Sequence, residues 1–275
     1  MLKTRIITAL VLLAILLPAL FAPSALPFTL LAGVFVTAGV WEWGRLNGLG
    51  QGAALLMAAV VGVVLLLAWG LQLTALPAWV WWLASVVWVL GGAWLLRQGV
   101  PGWGRLPQAL RLTLGCVMLA LVWVVLGLQR SIGNNSLLSI FFLVWAADVF
   151  AYFGGKAFGR RKLAPSISPG KSWEGAVTGA LGVLLVAAVW VAVDARIQPA
   201  APSLYTVLYQ RFDLWAVLPL LGLSAMSVVG DLVESLVKRS AGMKDSSQLL
   251  PGHGGVLDRV DALLPVLPLT MCFLG

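Results

Sequence analysis

Ala53-Ala-Leu-Leu-Met-Ala-Ala-Val-Val-Gly-Val-Val-Leu-Leu-Leu-Ala-Trp-Gly70 is a run of eighteen residues with no charge and a single polar atom on its side chains, the indole nitrogen of Trp69. Wound as a helix at about 1.5 Å per residue it spans roughly 27 Å, close to the hydrocarbon thickness of a bilayer. Such a helix is apolar all round and has no polar face to offer water. The rest of the chain agrees. Of its 275 residues 61% are apolar and only 10% charged, with a mean hydropathy of +0.99, where a soluble domain carries roughly 25% charged residues. A soluble globule, a disordered chain, a coiled coil and a basic nucleic-acid-binding module are all excluded. The chain reads as an all-α, polytopic integral membrane protein.

Working outward from 53–70, nine spans are expected, at 6–22, 27–43, 53–70, 76–96, 110–128, 136–155, 175–193, 213–231 and 257–274. Lys3 and Arg5 ahead of Ile6–Leu20 have the outline of a secretory leader, but with apolar stretches following to the last residue a retained first span is expected. If the N-terminus is cytoplasmic, fifteen of the eighteen Lys and Arg, from Lys3 and Arg5 to Lys244 and Arg259, fall inside, and three (Arg130, Arg196 and Arg211) fall outside. That asymmetry supports both the orientation and the span count, and it accounts for the net charge of +8 without a nucleic-acid partner. With no repeat and no low-complexity linker, residues 1–275 read as one domain of a cytoplasmic (inner) membrane. The many Trp are expected as interface anchors and lipid-facing bulk, and Cys116 and Cys272 as small hydrophobes with no metal or disulfide spacing.

The chemistry is concentrated in 145–175 and 230–262. Seven of ten acids (Asp148, Glu174, Asp231, Glu234, Asp245, Asp258, Asp261) and nine of eighteen bases lie in the windows 148–174 and 231–261. Acids at the ends of membrane helices are costly unless paired or bound to cations, and so are functional candidates. In the first window Gly170-Lys171-Ser172 has the ending of a phosphate-binding loop, but Pro165 stands where that motif needs Gly. What remains is Lys171 and Ser172 at the start of a helix, where free N–H groups favour an anion. In the second window Asp231 and Glu234, then Asp258 and Asp261, are spaced i, i+3, so each pair shares a helix face. Between them Gly252, Gly254 and Gly255 can bring bare backbone N–H groups to an oxyanion. Carboxylates beside a phosphate cradle call for a hard cation such as Mg²⁺, which gives Asp231, Glu234, Asp258 and Asp261 as metal ligands. Lys171, Lys238, Arg239, Lys244 and Arg259 would hold the remaining phosphate charge. His253 reads as a phosphate hydrogen-bond donor or, alternatively, as a turn-stabilising residue.

Ser235-x-x-Lys238-Arg239-x4-Lys244-Asp245, followed by Pro251-Gly-His-Gly-Gly-x-x-Asp258-Arg259-x-Asp261, resembles the signature of the phosphatidate cytidylyltransferases, also called CDP-diacylglycerol synthases. Asp148 and Ser168-Pro-x-Lys171-Ser172-x-Glu174-Gly175 are similar to a second segment of that family. Ser172 stands where Thr is usual and Ala262 where a small hydroxyl residue is frequent. The resemblance implies transfer of a cytidylyl group from CTP to phosphatidic acid, giving CDP-diacylglycerol and pyrophosphate at the cytosolic face. It further implies a homodimer and a K⁺ near the Mg²⁺. Asp231 and Asp258, through a bound cation, and Lys171 and Arg259, through phosphate stabilisation, are the residues expected to carry catalysis. Two other classes compete. A phosphotransferase acting on CDP-activated lipids would carry an Asp-Gly-x-x-Ala-Arg run, absent here, and a transporter of anionic metabolites would gather its charges at the membrane midplane.

Overall fold

The computed structural model describes residues 2–274. Lipid offers no partners to backbone N–H and C=O groups, so each apolar stretch satisfies its own by winding into a helix. α1 (Leu2–Leu20), α2 (Leu26–Leu46) and α3 (Gln51–Gly70) are followed by α4 (Ala78–Val86) and α5 (Gly92–Gln98), joined through the π-helical turn Val87–Gly91. After the short α6 (Val100–Arg105) come α7 (Gln108–Ile132) and α8 (Asn134–Phe158). An antiparallel hairpin, β1 (Lys162–Ala164) and β2 (Ser168–Ser172), leads into α9 (Trp173–Ile197), with Lys162 opposite Ser172 and Ala164 opposite Ser168. The chain closes with α10 (Leu204–Phe212), α11 (Val217–Ser240), α12 (Leu257–Val260) and α13 (Leu263–Leu274).

Eight helical stretches among the described residues are long and apolar enough to cross a membrane, and they coincide with the first eight expected spans. The eighth departs in register: α11 begins at Val217 rather than 213 and continues to Ser240, so Asp231, Glu234 and Lys238 are all helical. The ninth, expected as one helix over 257–274, is broken in two. Asp261 Oδ1 accepts the Ala262 N–H (2.8 Å) at the break, and Pro265 sits in the first turn of α13, where a missing N–H does no harm. The twelve residues of α13 reach only about 18 Å, but the whole stretch from Leu257 still runs from one face of the bundle to the other.

Side-chain contacts fix which ends share a face. Arg5 Nε donates to the Gly252 carbonyl (2.9 Å) and Thr8 Oγ1 to that of Pro251 (2.9 Å), which places the start of α1 beside the loop 241–256. Arg45 and Lys244 line one cleft, and Arg97 lines another with hairpin residues 163–167. At the opposite face Arg130 donates to the Ala22 carbonyl and Arg211 to that of Phe273 (2.7 Å). These contacts put Arg5, Arg45, Arg97 and Lys244 toward one end of the bundle and Arg130 and Arg211 toward the other.

α8 and α9 form the tightest helix pair. A Cβ on Gly179 would stand 2.6 Å from the Ala147 carbonyl oxygen, and one on Gly175 2.9 Å from that of Ala151. Small residues let the two backbones approach where lipid gives no hydrophobic drive to association. Large apolar side chains cover much of the exterior, among them Leu10, Leu56, Val34 and Trp79, as a lipid-facing surface requires. The expected role of the Trp residues divides. Trp79, Trp82 and Trp215 face outward, whereas Trp43, Trp103 and Trp123 are core residues whose indole N–H groups donate to the Arg111 carbonyl, Asn47 Oδ1 and the Thr29 carbonyl (2.9 Å each). Cys116 and Cys272 are both free thiols.

Candidate functional site

Four elements deliver the charged residues to one face. Ser172 ends the hairpin and caps α9, its Oγ accepting the Gly175 N–H (3.1 Å). Glu174 in the first turn of α9 accepts the backbone N–H of Arg160 (3.0 Å) and Arg161 (3.2 Å), closing the base of the hairpin. The hairpin thereby carries Lys171 over the second half of α11, where its Nζ lies 2.5 Å from Asp231 Oδ2 with both side chains partly exposed. Asp148 of α8, Lys171, Ser172 and Asp231 line a single cleft. The carboxylates of Asp148 and Asp261 are both within electrostatic reach of Asp231 and Lys171. Three acids and one lysine therefore share this part of the site.

A second cluster lies nearer the end of α11. Lys238 Nζ bridges Glu234 Oε2 (2.6 Å) and Asp258 Oδ1 (2.5 Å), all three largely buried. The other oxygen of Asp258 accepts the Ser246 N–H (2.9 Å), the Ser246 hydroxyl (2.9 Å) and the Gly255 N–H (2.7 Å). The two i, i+3 pairs are thus sorted across helices rather than along them. α11 and α12 run in opposite directions, so Asp231 meets Asp261 at one depth while Glu234 meets Asp258, through Lys238, about one turn away.

The glycine-rich turn is shaped by carboxylates of the protein itself. Gly254 has φ +86°, the left-handed region that glycine enters without strain. A Cβ on Gly255 would stand 2.0 Å from Ser246 Oγ and 2.4 Å from Glu42 Oε1, so only glycine fits between them. The Gly255 N–H is directed to Asp258, and the next two, of Val256 and Leu257, go to Glu42 (2.9 and 2.8 Å). Gly252 is held through its carbonyl by Arg5. His253 accepts the Arg259 guanidinium on its carbonyl oxygen, while its own Nδ1 is buried without a partner. Arg239 makes long contacts to the carbonyls of Ile167 (3.5 Å) and Met243 (3.4 Å). Lys244 is exposed and lines the cleft shared with Arg45, away from Lys171.

Lys171, Ser172, Asp231 and Asp261 are therefore brought together with Asp148, and Glu234, Lys238 and Asp258 with Ser246. Glu42 entered no motif and is missing from the sequence-derived site. Its signal was its isolation: the one acid of a largely apolar helix, set between Trp41 and Trp43, which within a membrane protein is a functional candidate by default.

Residues 3–275 match the model of the Cytidylyltransferase family. A phosphatidate cytidylyltransferase of Pseudomonas aeruginosa is 43% identical over 98% of this chain and 95% of its own length. The proteins of that name from Haemophilus influenzae and Brucella abortus are 34% and 38% identical, again over 98% and 99% of this chain and over 96% and 93% of their own lengths.

Proposed function

This chain belongs to the cytidylyltransferase family, a nucleotidyltransferase of the membrane, and on that premise we propose that it transfers a cytidylyl group from CTP to phosphatidate at the cytosolic face of the cytoplasmic membrane. The observation that carries the reading is the convergence of Lys171 with Asp148, Asp231 and Asp261 at the one face where the bases gather. A phosphatidate oxygen attacks the α-phosphorus of CTP, a new P–O bond forms, and the bond to pyrophosphate breaks in line. Gathering that much negative charge is the main barrier, so positioning and neutralisation supply the rate.

Lys171 is placed to provide part of both. Its ammonium sits on a partly exposed hairpin against Asp231 and can turn to an incoming phosphate within the same cleft. Lys238 holds Asp258 and Glu234 side by side, Arg239 reaches toward the Ile167 carbonyl of the hairpin turn, and Lys244 lines the separate cleft shared with Arg45. Among the described residues no three carboxylates are gathered closely enough to form a metal-binding group as they stand, but Asp148, Asp231 and Asp261 lie within electrostatic reach of one another with only Lys171 among them, a charge balance that calls for a cation. Asp231 and Asp261, joined by Asp148, are the residues that would hold Mg²⁺, with Asp258 and Glu234 beside them. Bound there, Mg²⁺ would neutralise charge at the α-phosphate and on the departing pyrophosphate. A K⁺ and a homodimer belong to the same reading on the strength of the resemblance alone.

The test is to incubate the purified protein with radiolabelled CTP, phosphatidate and Mg²⁺. Label in the lipid phase, dependent on both substrates, is expected. Labelled CTP that stays wholly in the aqueous phase, in a preparation shown to be folded, would overturn the reading.

A further inference from the structure

Glu42 is fully buried in α2, and every partner it has lies more than 200 residues away. Its Oε1 accepts the Ser247 hydroxyl (2.5 Å) and the Val256 N–H (2.9 Å), and its Oε2 the Ser246 hydroxyl (3.1 Å) and the Leu257 N–H (2.8 Å). None of these partners is a base. A carboxylate taken out of water is costly unless its lone pairs are filled, and here four neutral donors from one loop fill them.

Those donors alternate with the donors that hold Asp258. The Gly255 N–H goes to Asp258 and the next two to Glu42, while the single proton of the Ser246 hydroxyl lies between the two carboxylates. Asp258 Oδ2 is thereby consumed by three donors, and Oδ1 is held by the Lys238 ammonium (2.5 Å) beside Glu234. We propose that Glu42 is a positioning residue for the transfer reaction: it clamps the segment 246–257 so that Asp258 Oδ1 stays fixed beside Glu234, where a cation that displaces the Lys238 ammonium would meet it. The proposal rests on cytidylyl transfer being the reaction of this site. It adds that the cation requirement is set in part from the second membrane helix.

The experiment compares the intact protein with Glu42→Gln, Ser247→Ala and, as a control, Asp194→Asn, which breaks a separate buried carboxylate cluster at the opposite face. A glutamine can meet only one pair of the four donors. Three quantities are read: hydrogen exchange across 246–258 in detergent, the rise in melting temperature on adding Mg²⁺, and the Mg²⁺ concentration giving half-maximal turnover. Glu42→Gln should speed exchange at Val256 and Leu257, shrink the Mg²⁺-induced rise, and raise the half-saturating Mg²⁺ by about 10–100-fold. Asp194→Asn should lower the melting temperature and leave the Mg²⁺ requirement in place. If Glu42→Gln folds and its half-saturating Mg²⁺ stays within about twofold of the parent protein, the proposal is overturned. Should Glu42→Gln fail to fold, Ser247→Ala decides, with a shift of about two- to tenfold expected for one lost hydrogen bond and unshifted exchange and Mg²⁺ dependence refuting. A parent protein that makes no labelled lipid would defeat the functional reading, while the exchange data would still judge the clamp.

Discussion

Replacing Asp258 by Asn keeps the shape of the side chain and removes its charge, and the surrounding contacts determine the cost. Oδ1 accepts from Lys238 Nζ (2.5 Å), and Oδ2 from Ser246 N (2.9 Å), Ser246 Oγ (2.9 Å) and Gly255 N (2.7 Å). An amide can serve one side only. With its oxygen on the three donors, its NH₂ faces the Lys238 ammonium; flipped, its NH₂ would meet three donors at once, which is worse. Lys238 keeps Glu234 at 2.6 Å, so the loss is not the 3–5 kcal/mol of an orphaned buried charge. It is that of one charge-assisted hydrogen bond, about 1.5–3 kcal/mol. At roughly 2–4 °C per kcal/mol for a chain of this size, the melting temperature in detergent should drop by about 3–12 °C. Turnover should vanish, because the negative charge that Asp258 would present to the cation is lost, while the protein still inserts in the membrane. A double-mutant cycle with Lys238→Met should return a coupling of the same 1.5–3 kcal/mol. Additivity within about 0.5 kcal/mol would refute the pairing. Robust turnover with an unshifted Mg²⁺ requirement would refute the role of Asp258 in the reaction.

Lys171→Ala removes the partner of Asp231 from an exposed hairpin and should leave the melting temperature nearly unchanged. At limiting CTP it should cut kcat/KM by about 10–150-fold, the equivalent of one charge-assisted phosphate contact, and parental kinetics would exclude that contact. Gly179→Leu drives a side chain into the Ala147 carbonyl, which stands 2.6 Å from the position of a Cβ. Since backbone cannot yield without separating α8 from α9, a loss of at least about 1–3 kcal/mol is expected, and a Leu variant that melts with the parent protein would contradict the packing. Reporter fusions at 165 and 245 should both be cytoplasmic and one at 203 external; a 245 fusion on the external side would move the whole site across the membrane.

The helices were legible because the solvent dictates them: a run such as 53–70 has one way to satisfy its backbone in lipid, and sequence alone locates it. The break in the last span was not, because it depends on one carboxylate, Asp261, finding the Ala262 N–H and on Pro265 falling in a first turn. Hydropathy averages over both. The start of α11 was missed by four residues for a similar reason, since Asp213–Ala216 forms a 3₁₀ turn whose composition matches that of the span it precedes.

The site divides in the same manner. Crowding of charge located both windows, and helical spacing correctly put Asp231 with Glu234 on α11. It could not show that an antiparallel neighbour would split each pair, since that depends on the relative depth of two segments joined by a loop. Acids outside the windows were harder still to read. Glu42 is the one acid of α2, and Asp194 lies at the far end of α9 from Glu174; each accepts backbone N–H groups at the start of another helix, Val256 and Leu257 more than 200 residues on for Glu42, and Ser203 at the next helix for Asp194. A local cap announces itself by spacing, as Ser172 does three residues before Gly175. A cap supplied from another span has no spacing, and its one sequence trace is that a charge costly to bury has been kept where lipid and packing would favour an apolar residue. Since Glu42 is held wholly by donors of the loop that carries Asp258, its cost is met only when that loop is in place. Folding of α2 against the loop and assembly of the site are therefore a single event.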